Sequence, residues 1–529
     1  MEEKQEYGIP GRAKRSTRAA KKPETLEEVL WDAAVRLRGN VAPADYKHYV
    51  LPLIFLLYCS LRFEERQEEI RTEVHEVAKN NYQSALDLFL SDPDEYKKKN
   101  VFIVPEKASW SYLVKSAQRD DIKSVVDSAL VLMQEENPKL KDVLRRVYAG
   151  SNLDAENLRG LISLFSRDIF AQNSGKGLDM LGKTYEYFIG NFASTEGQRG
   201  GEYFTPESVV RVLVECMQPK EGVVFDPACG SGGMFVQSDR FAHHRGTLSF
   251  HGQERIDTTL RLAKLNLFMH ELDGDIKLGD SLLNDQFPNL KADFVIANPP
   301  FNLKQWGADK LDKNDARLFV DGNRFAVSNG NANYMWILHY LHHLKAGGTA
   351  GTVMANGSLT TSVREEYELR KAFLEAGLVD CIIQLPAQLF FQTGIPVCLW
   401  IFRNSLAADR GVFFVDARKL GKLKEGSRKQ KELSEAEIRQ IADAYIAFER
   451  SEAPSRPGFC APASLEAIRK HDYKLTPGIY VGSEANGEDD GEFEERFAKL
   501  TKELEEKFAE AGALQDRVLR NLASVAREP

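Results

Sequence analysis

The amino-acid sequence predicts an α/β protein: a mostly parallel, doubly wound sheet with an all-helical domain before it and a helical tail behind. Three observations carry that reading. From residue 202 onward, short apolar runs alternate with amphipathic stretches, the pattern of strands joined by helical crossovers. A glycine-rich turn, Pro227-Ala228-Cys229-Gly230-Ser231-Gly232-Gly233, separates the first such strand from the first such helix. Upstream of residue 170 almost every apolar position falls at helical spacing, as Leu26, Val29, Leu30, Ala33 and Leu37 do.

The elements follow in order. Residues 1–23 form a polar, basic arm with Arg12, Lys14, Arg15, Arg18, Lys21 and Lys22, suited to a flexible segment that touches phosphates or to a solvated tail. Residues 24–172 read as the helical domain, with helices expected around 82–90, 122–133 and 158–170. A linking helix over 179–188 runs into the glycine-rich segment 197–201. Strands are expected at 223–226, 248–254, 276–278, 294–297, 351–355, 379–385 and 397–402, with helices at 234–242, 258–270, 333–344 and 365–376 between them. Gly347-Gly348 is expected to stop the third of these helices. The catalytic domain is placed at 173–404, followed by a smaller extension at 405–482 with a capping box, Ser434 to Glu437, opening a helix. After a polar break, the 483–529 tail carries Phe493, Phe497, Leu500, Leu504, Phe508, Leu514, Val518 and Leu522 at three- and four-residue steps, a seam for a partner helix.

Length and composition narrow the function classes. At 529 residues, 43% hydrophobic and 28% charged, the chain has core enough for two or three domains. The apolar run 49–61 contains Pro52 and is too short to span a bilayer, and the N-terminus lacks an apolar signal core, so a cytoplasmic protein is expected. Six cysteines without a CxxC pair suit a reducing compartment and argue against a zinc site; no metal is expected. A net charge of −8 means that any nucleic-acid partner is met locally or with help.

The candidate chemistry lies at the carboxyl ends of four successive strands, where open α/β sheets place their ligands: Asp226, Glu254, Asp280 and Asn298. Each acid taken singly is more readily a helix cap or a solvated loop residue, and it is the four together that point to a site. The glycine turn lets backbone approach a ligand closely, but its spacing is wrong for a dinucleotide fingerprint. A carboxylate ending the second strand suits ribose hydroxyls, and one ending the third suits an adenine amino group. Asn298-Pro299-Pro300-Phe301 stops the fourth strand abruptly, since neither proline donates to a ladder. It offers an amide oxygen, the Pro299 carbonyl and an aromatic face, a set that suits an exocyclic amine on a planar ring.

The succession Glu202-Tyr203-Phe204-Thr205-Pro206, glycine turn, Glu254, Asp280, Asn-Pro-Pro-Phe resembles the γ-class amino-methyltransferases of DNA. The 179–206 segment, Asn331-Ala332-Asn333-Tyr334-Met335-Trp336 and Asp472-Tyr473-Lys474-Leu475-Thr476-Pro477 extend the likeness over nearly the whole chain, to the modification (M) subunits of type I restriction–modification systems. The resemblance implies a Rossmann-like, S-adenosylmethionine-dependent methyltransferase sheet acting on N6 of adenine. It implies that Phe204 and Thr205, flanked by Tyr203 and Pro206, join Asp226, Cys229, Gly230, Ser231 and Gly232 around the methionine half of S-adenosyl-L-methionine. Glu254 would take the ribose, Asp280 with Ser281 the cofactor adenine, and Ile256 the face of that ring. Asn298, Pro299, Pro300 and Phe301 would form the catalytic loop, Asn298 touching cofactor and target alike. Adenine rather than cytosine follows from the Phe-ending form of that loop. The implied partners are double-stranded DNA with a flipped adenine, a specificity (S) subunit, a second M subunit and a restriction (R) subunit, with no membrane. Residues 302–331, containing Lys304, Trp306, Lys310, Lys313 and Arg317, form a long loop expected to cover the flipped base or contact the strand. Competing readings are a methyltransferase of a ribosomal RNA base or a protein glutamine, and a non-catalytic binding subunit.

Overall fold

The computed structural model describes residues 46–77, 81–167 and 205–390, most of 394–482, and single helical positions within 181–189 and 500–518. The basic arm, the Leu26–Leu37 stripe, the 197–201 segment, Tyr203 and Phe204 lie outside the described residues.

Upstream, helices α1 (Tyr46–Val77), α2 (Ile122–Glu136) and α3 (Ala155–Phe165) pack around one apolar core. Val50, Leu53, Ile54, Leu57, Val126, Leu130, Leu158 and Leu161 supply it, at the three- and four-residue steps that put them on single helix faces. Leu181, Tyr185, Phe188 and Ile189 of the linking segment join the same core.

The second unit is built on a nine-stranded sheet. Its strands are β1 (Gly222–Asp226), β2 (Leu248–Glu254), β3 (Gly274–Leu278), β4 (Ala292–Ala297), β5 (Leu344–Ala355), β6 (Val379–Gln384), β7 (Val397–Arg403), β8 (Val412–Asp416) and β9 (Cys460–Ala463), in the order β9-β8-β6-β7-β5-β4-β1-β2-β3. Strands β1 to β5 run parallel, and β8 runs parallel to β6. β7 is antiparallel to both β5 and β6, and β9 is antiparallel to β8. Side-chain alternation divides the sheet between two cores: Val224, Ile296 and Ile383 enter one, while Phe225, Val295 and Ile382 enter the other.

Helices α4 (Glu207–Met217), α5 (Gly233–Phe241), α6 (Asp257–Met269), α7 (Asn333–His343), α8 (Arg364–Glu375) and α9 (Glu435–Glu449) cover those faces. Leu265 and Met269 of α6 reach out of the sheet unit into the helical domain's core. Beside them Arg62 Nε donates to Glu271 at 2.8 Å and Lys139 pairs with Asp273 at 2.8 Å. The capping box at Ser434 and Glu437 is formed as expected.

Three local readings of the sequence are corrected. The sheet does not stop near residue 404: the buried Val-Phe-Phe-Val run of β8 pairs with β6, and β9, carrying Pro462, closes that edge. Gly347-Gly348 does not cap α7, which ends at His343, one residue before β5 begins. The glycines sit inside β5 where its register against β4 slips. A Cβ on Gly348 would stand 2.9 Å from the Asp293 carbonyl, so only glycine fits there. Residues 302–331 are not a structureless loop either. Short 3-10 turns at Ala308–Lys310 and Ala316–Leu318 and a small hairpin pairing Phe319–Val320 with Asn323–Arg324 organise them, with Trp306, Leu318 and Val320 buried.

Candidate active site

Parallel pairing brings the ends of β1, β2, β3 and β4 to one edge of the sheet, with Asp226 opposite Gly252 and Glu254 opposite Leu278. The strand order turns back at β1, whose two neighbours are β2 and β4, so the crevice of this sheet opens between Asp226 and Asn298. All four strand-end residues singled out in the sequence therefore lie along that one edge.

On the β1–β2 side the glycine turn is held by backbone contacts. Gly230 and Gly232 adopt φ of +52° and +78°, and Gly232 then caps α5. Cys229 N–H donates to the Gln253 carbonyl at 3.1 Å, and Asn266 Nδ2 donates to the Ser231 carbonyl at 2.9 Å. A Cβ at Gly230 would find no atom within 4 Å, so open space adjoins the turn. Glu254 binds the turn to the start of α6: its Oε2 accepts from Gly230 N–H at 3.0 Å and its Oε1 from Ile256 N–H at 2.8 Å. Each oxygen keeps a further lone pair, the acceptor pattern that two ribose hydroxyls need. Ile256 lies half-buried just before α6.

Asp226 is buried, and its Oδ1 accepts from Ala228 N–H at 3.0 Å. Burial pushes its carboxyl up to about 8, the Ala228 N–H opposing and the nearby Glu254 charge adding. Burial also raises Glu254, against the backbone donors of Ile256 and Gly230. Cys229, expected among the cofactor contacts, turns its thiol into the apolar core, where burial raises it well above its ordinary value.

At the end of β3, Asp280 Oδ1 accepts from Leu282 N–H at 3.1 Å, and its Oδ2 lies 3.9 Å from Arg255. The Ser281 hydroxyl is buried and donates to the Pro227 carbonyl, tying the β3 loop to the β1 loop. Trp306 and Arg317 are corrected. Trp306 donates to the Ser328 carbonyl from the core, and Arg317 is buried, so neither side chain is placed to cover a base. Lys304, Lys310 and Lys313 are exposed.

On the β4 side, Asn298 Nδ2 donates to Thr205 Oγ1 at 2.7 Å. In that contact the amide nitrogen faces Thr205. Its oxygen, Oδ1, is buried with no hydrogen-bond partner among the described residues. Pro299 is buried, and Phe301 sits half-buried, edge-on to Phe390 at 6.2 Å between ring centroids. Thr205, expected at the methionine half of the cofactor, thus also accepts from the Asn298 amide. Pro206 opens α4 directly behind it.

The sequence reading missed the braces. Asn302 N–H donates to Asn333 Oδ1 at 3.0 Å, and Asn333 Nδ2 returns a bond to Asn302 Oδ1 at 2.9 Å, clamping the exit of the catalytic loop to the start of α7. The only sequence signal was the Asn331-Ala332-Asn333 run itself. A buried trio, Asp285, His339 and His343, also comes together, with candidate ligand atoms within 4.8 Å of one another. Arg317 donates into His339 Nδ1, leaving the proton of a neutral ring on Nε2, where a metal would need a lone pair. His343 Nδ1 meets the Leu290 carbonyl and its Nε2 meets Asp285 at 3.0 Å. The trio is a hydrogen-bond cluster beneath the site.

Fold and strand-end constellation together define an S-adenosylmethionine-dependent methyltransferase of amino groups. The family model for the N-6 DNA methylases matches residues 176–489, and that for the HsdM N-terminal domain matches residues 26–165. The chain is 37% identical over 508 residues to the type I restriction enzyme MjaIX methylase subunit of Methanocaldococcus jannaschii, covering 93% of this chain and 90% of that protein. It is 38% identical over 425 residues to the HindI methylase subunit of Haemophilus influenzae, covering 77% and 93%. The crystal structure of a type I methyltransferase subunit from Streptococcus thermophilus superposes with a TM-score of 0.72 at 24% identity, covering 86% of this chain and 99% of that one, a likeness of fold. The protein belongs to the N-6 DNA methylase family, among the methylase subunits of type I restriction enzymes. Its activity is transfer of a methyl group from S-adenosylmethionine to N6 of adenine in DNA. Among the described residues no helix is long and apolar enough to cross a membrane.

Proposed function

We propose that the chain methylates an adenine rotated out of the DNA duplex, with Asn298 Oδ1 and the Pro299 carbonyl accepting from the two N6 hydrogens and Phe301 against the ring face. Rotation is needed because N6 cannot be approached in line while the base is stacked. The observation that carries this reading is the Asn298 amide, whose nitrogen is pinned by Thr205 while its buried oxygen has no partner among the described residues. A buried acceptor left that way is costly unless a ligand supplies the donor.

S-adenosylmethionine, when bound, supplies a methyl group on a sulfonium, a leaving group that needs no protonation. Gly230, Ser231 and Gly232 would cradle its methionine half, with Asp226, Tyr203, Phe204, Thr205 and Pro206 around it. Glu254 would hold the ribose, Asp280 the adenine amino group and Ile256 the adenine face. The chain's own contribution to the reaction is orientation and acceptors. The N6 lone pair is delocalised into the ring, and acceptors aimed at both N–H groups favour a pyramidal nitrogen as positive charge develops. Alignment of that nitrogen with the methyl group supplies much of the rest.

Sequence recognition is assigned to a separate specificity subunit, in a complex with a second copy of this chain and a restriction subunit. Two features support this. No part of the described chain beyond the sheet forms a further domain large enough to read DNA, and the tail helix leaves Leu500, Leu504, Leu514 and Val518 between 44% and 57% exposed. That seam is the proposed docking element. Lys304, Lys310 and Lys313 are proposed to meet the DNA backbone near the target.

Transfer of labelled methyl to DNA, followed by nucleoside analysis, tests the proposal. The chain would be assayed alone, with its specificity subunit, and with the subunit after removal of residues 493–529. N6-methyladenine that needs both the subunit and the tail is the expected result. Product from the chain alone would overturn the division of labour, and methylated RNA or protein would overturn the substrate.

A further inference from the structure

Arg317 is an unusual residue to find 8% exposed in the segment that follows the catalytic loop. A guanidinium has five N–H donors in a fixed fork, and all five are committed here. Nε donates to Asp315 at 3.0 Å, and Nη2 to the same carboxylate at 2.6 Å. The remaining donors leave the segment. Nη1 reaches the Ser281 carbonyl at 3.0 Å and His339 Nδ1 at 3.2 Å, and Nη2 reaches the Leu282 carbonyl at 2.8 Å.

Those two carbonyls belong to the turn that begins at Asp280. Within that turn, Asn284 N–H donates to the Asp280 carbonyl at 2.6 Å, while Leu282 N–H holds Asp280 Oδ1. The backbone of 281–282 is therefore gripped from both sides: its Leu282 N–H orients the Asp280 carboxylate, and its carbonyls are fixed by Arg317. The neighbouring residue Leu283 meets the same segment, since a Cβ on Gly307 would lie 3.0 Å from its Cδ1.

From this arrangement we propose that Arg317 is a positioning residue for the cofactor, setting the Asp280 carboxylate toward the adenine of S-adenosylmethionine. The inference rests on the assignment of Asp280 to that adenine. Residues 302–333 then brace both ends of the reaction. The Asn302–Asn333 pair fixes the loop that presents acceptors to the target amine, and Arg317 fixes the turn that presents an acceptor to the cofactor. Placement of the two reactants is thus supported from one stretch of chain, through two separate braces.

The test is the dissociation constant for S-adenosylmethionine, measured by calorimetry on the full chain. Wild type would be compared with Arg317→Met, Arg317→Lys, Asp280→Asn and the Arg317→Met/Asp280→Asn double variant. Removing the guanidinium leaves two buried carbonyls without donors, and affinity should fall about tenfold or more. Lysine restores charge but not the fork and should fall between methionine and wild type. Because Arg317 acts through Asp280, the double variant should bind little worse than Asp280→Asn alone, and the loss should appear mainly in KM for the cofactor rather than in kcat. A general loosening of the fold would instead lower affinity by the same factor with or without the Asp280 carboxylate, and that additivity would sink the inference. So would unchanged affinity in both Arg317 variants while Asp280→Asn binds poorly. Unchanged affinity in Asp280→Asn itself would refute the assignment of Asp280, and the inference with it.

Discussion

Two acceptors at strand ends on either side of β1 behave in opposite ways. Glu254, on the cofactor side, has each oxygen already holding a backbone N–H, from Gly230 and from Ile256. Asn298, on the target side, has its nitrogen tied to Thr205 and its oxygen buried without a partner among the described residues. The cofactor side is assembled by the fold itself, so it can be complete before any ligand arrives. The Asn298 side keeps a buried acceptor open, and under the proposal above its missing donor is the amine to be methylated. Binding and chemistry should therefore separate cleanly under mutation.

The largest expected effect breaks that contrast at its unsatisfied end. Asn298→Ala removes the acceptor that the developing charge needs, and kcat should fall by at least about 10² to 10³, as loss of a single preorganised transition-state hydrogen bond does. Cofactor affinity, read by calorimetry, should stay within a few-fold of wild type. Parallel losses in both quantities would mean that the two sides are not independent.

A smaller effect sharpens the same contrast. Thr205→Val keeps the shape of the side chain but takes away the oxygen that holds Asn298 Nδ2. The amide can then turn over, exchanging oxygen for nitrogen at the target. One hydrogen bond of this kind is worth about 1 kcal/mol, so kcat should drop roughly five- to tenfold. Steady-state rates at saturating cofactor measure it, and a drop as deep as that of Asn298→Ala would assign Thr205 a direct role in catalysis.

How much of this was legible in the sequence follows from the range of the interactions. The strand ends were readable because period-2 alternation, a glycine turn and a double proline are local signals, and parallel pairing of β1 to β4 then brings Asp226, Glu254, Asp280 and Asn298 to one edge. The contact of Thr205 with Asn298 was not readable, because the two lie 93 residues apart. Arg317 and Trp306 looked like free, functional loop residues because a long polar stretch shows no period. Their burial depends on carbonyls and apolar surface supplied by distant segments. The added strands β8 and β9 were missed for a related reason: short apolar runs after an irregular stretch do not reveal which edge they will join. Gly347-Gly348 carried a strong stop signal, yet the requirement it meets is close approach to the Asp293 carbonyl.

The last effect is on stability rather than on rate and concerns the cofactor side, where the contrast has a cost. Asp226 and Glu254 are two buried carboxylates near one another, and burial first, then the Glu254 charge, holds the Asp226 carboxyl up to about 8 against the Ala228 N–H. In the unfolded chain the same group titrates near the ordinary carboxylate value of about 3.9. Between these limits the folded protein binds more protons than the unfolded one, so stability falls as pH rises, by up to about 1.4 kcal/mol per pH unit from this group. Below the lower limit both states are protonated and the effect is absent. Asp226→Asn is neutral throughout and should escape the decline. Its melting temperature relative to wild type should therefore climb from pH 5 to pH 8 and level off above, when measured without cofactor. A difference that stays flat across that range would mean that Asp226 is ionised in the folded protein. The cofactor side would then tolerate two neighbouring charges before any ligand arrives.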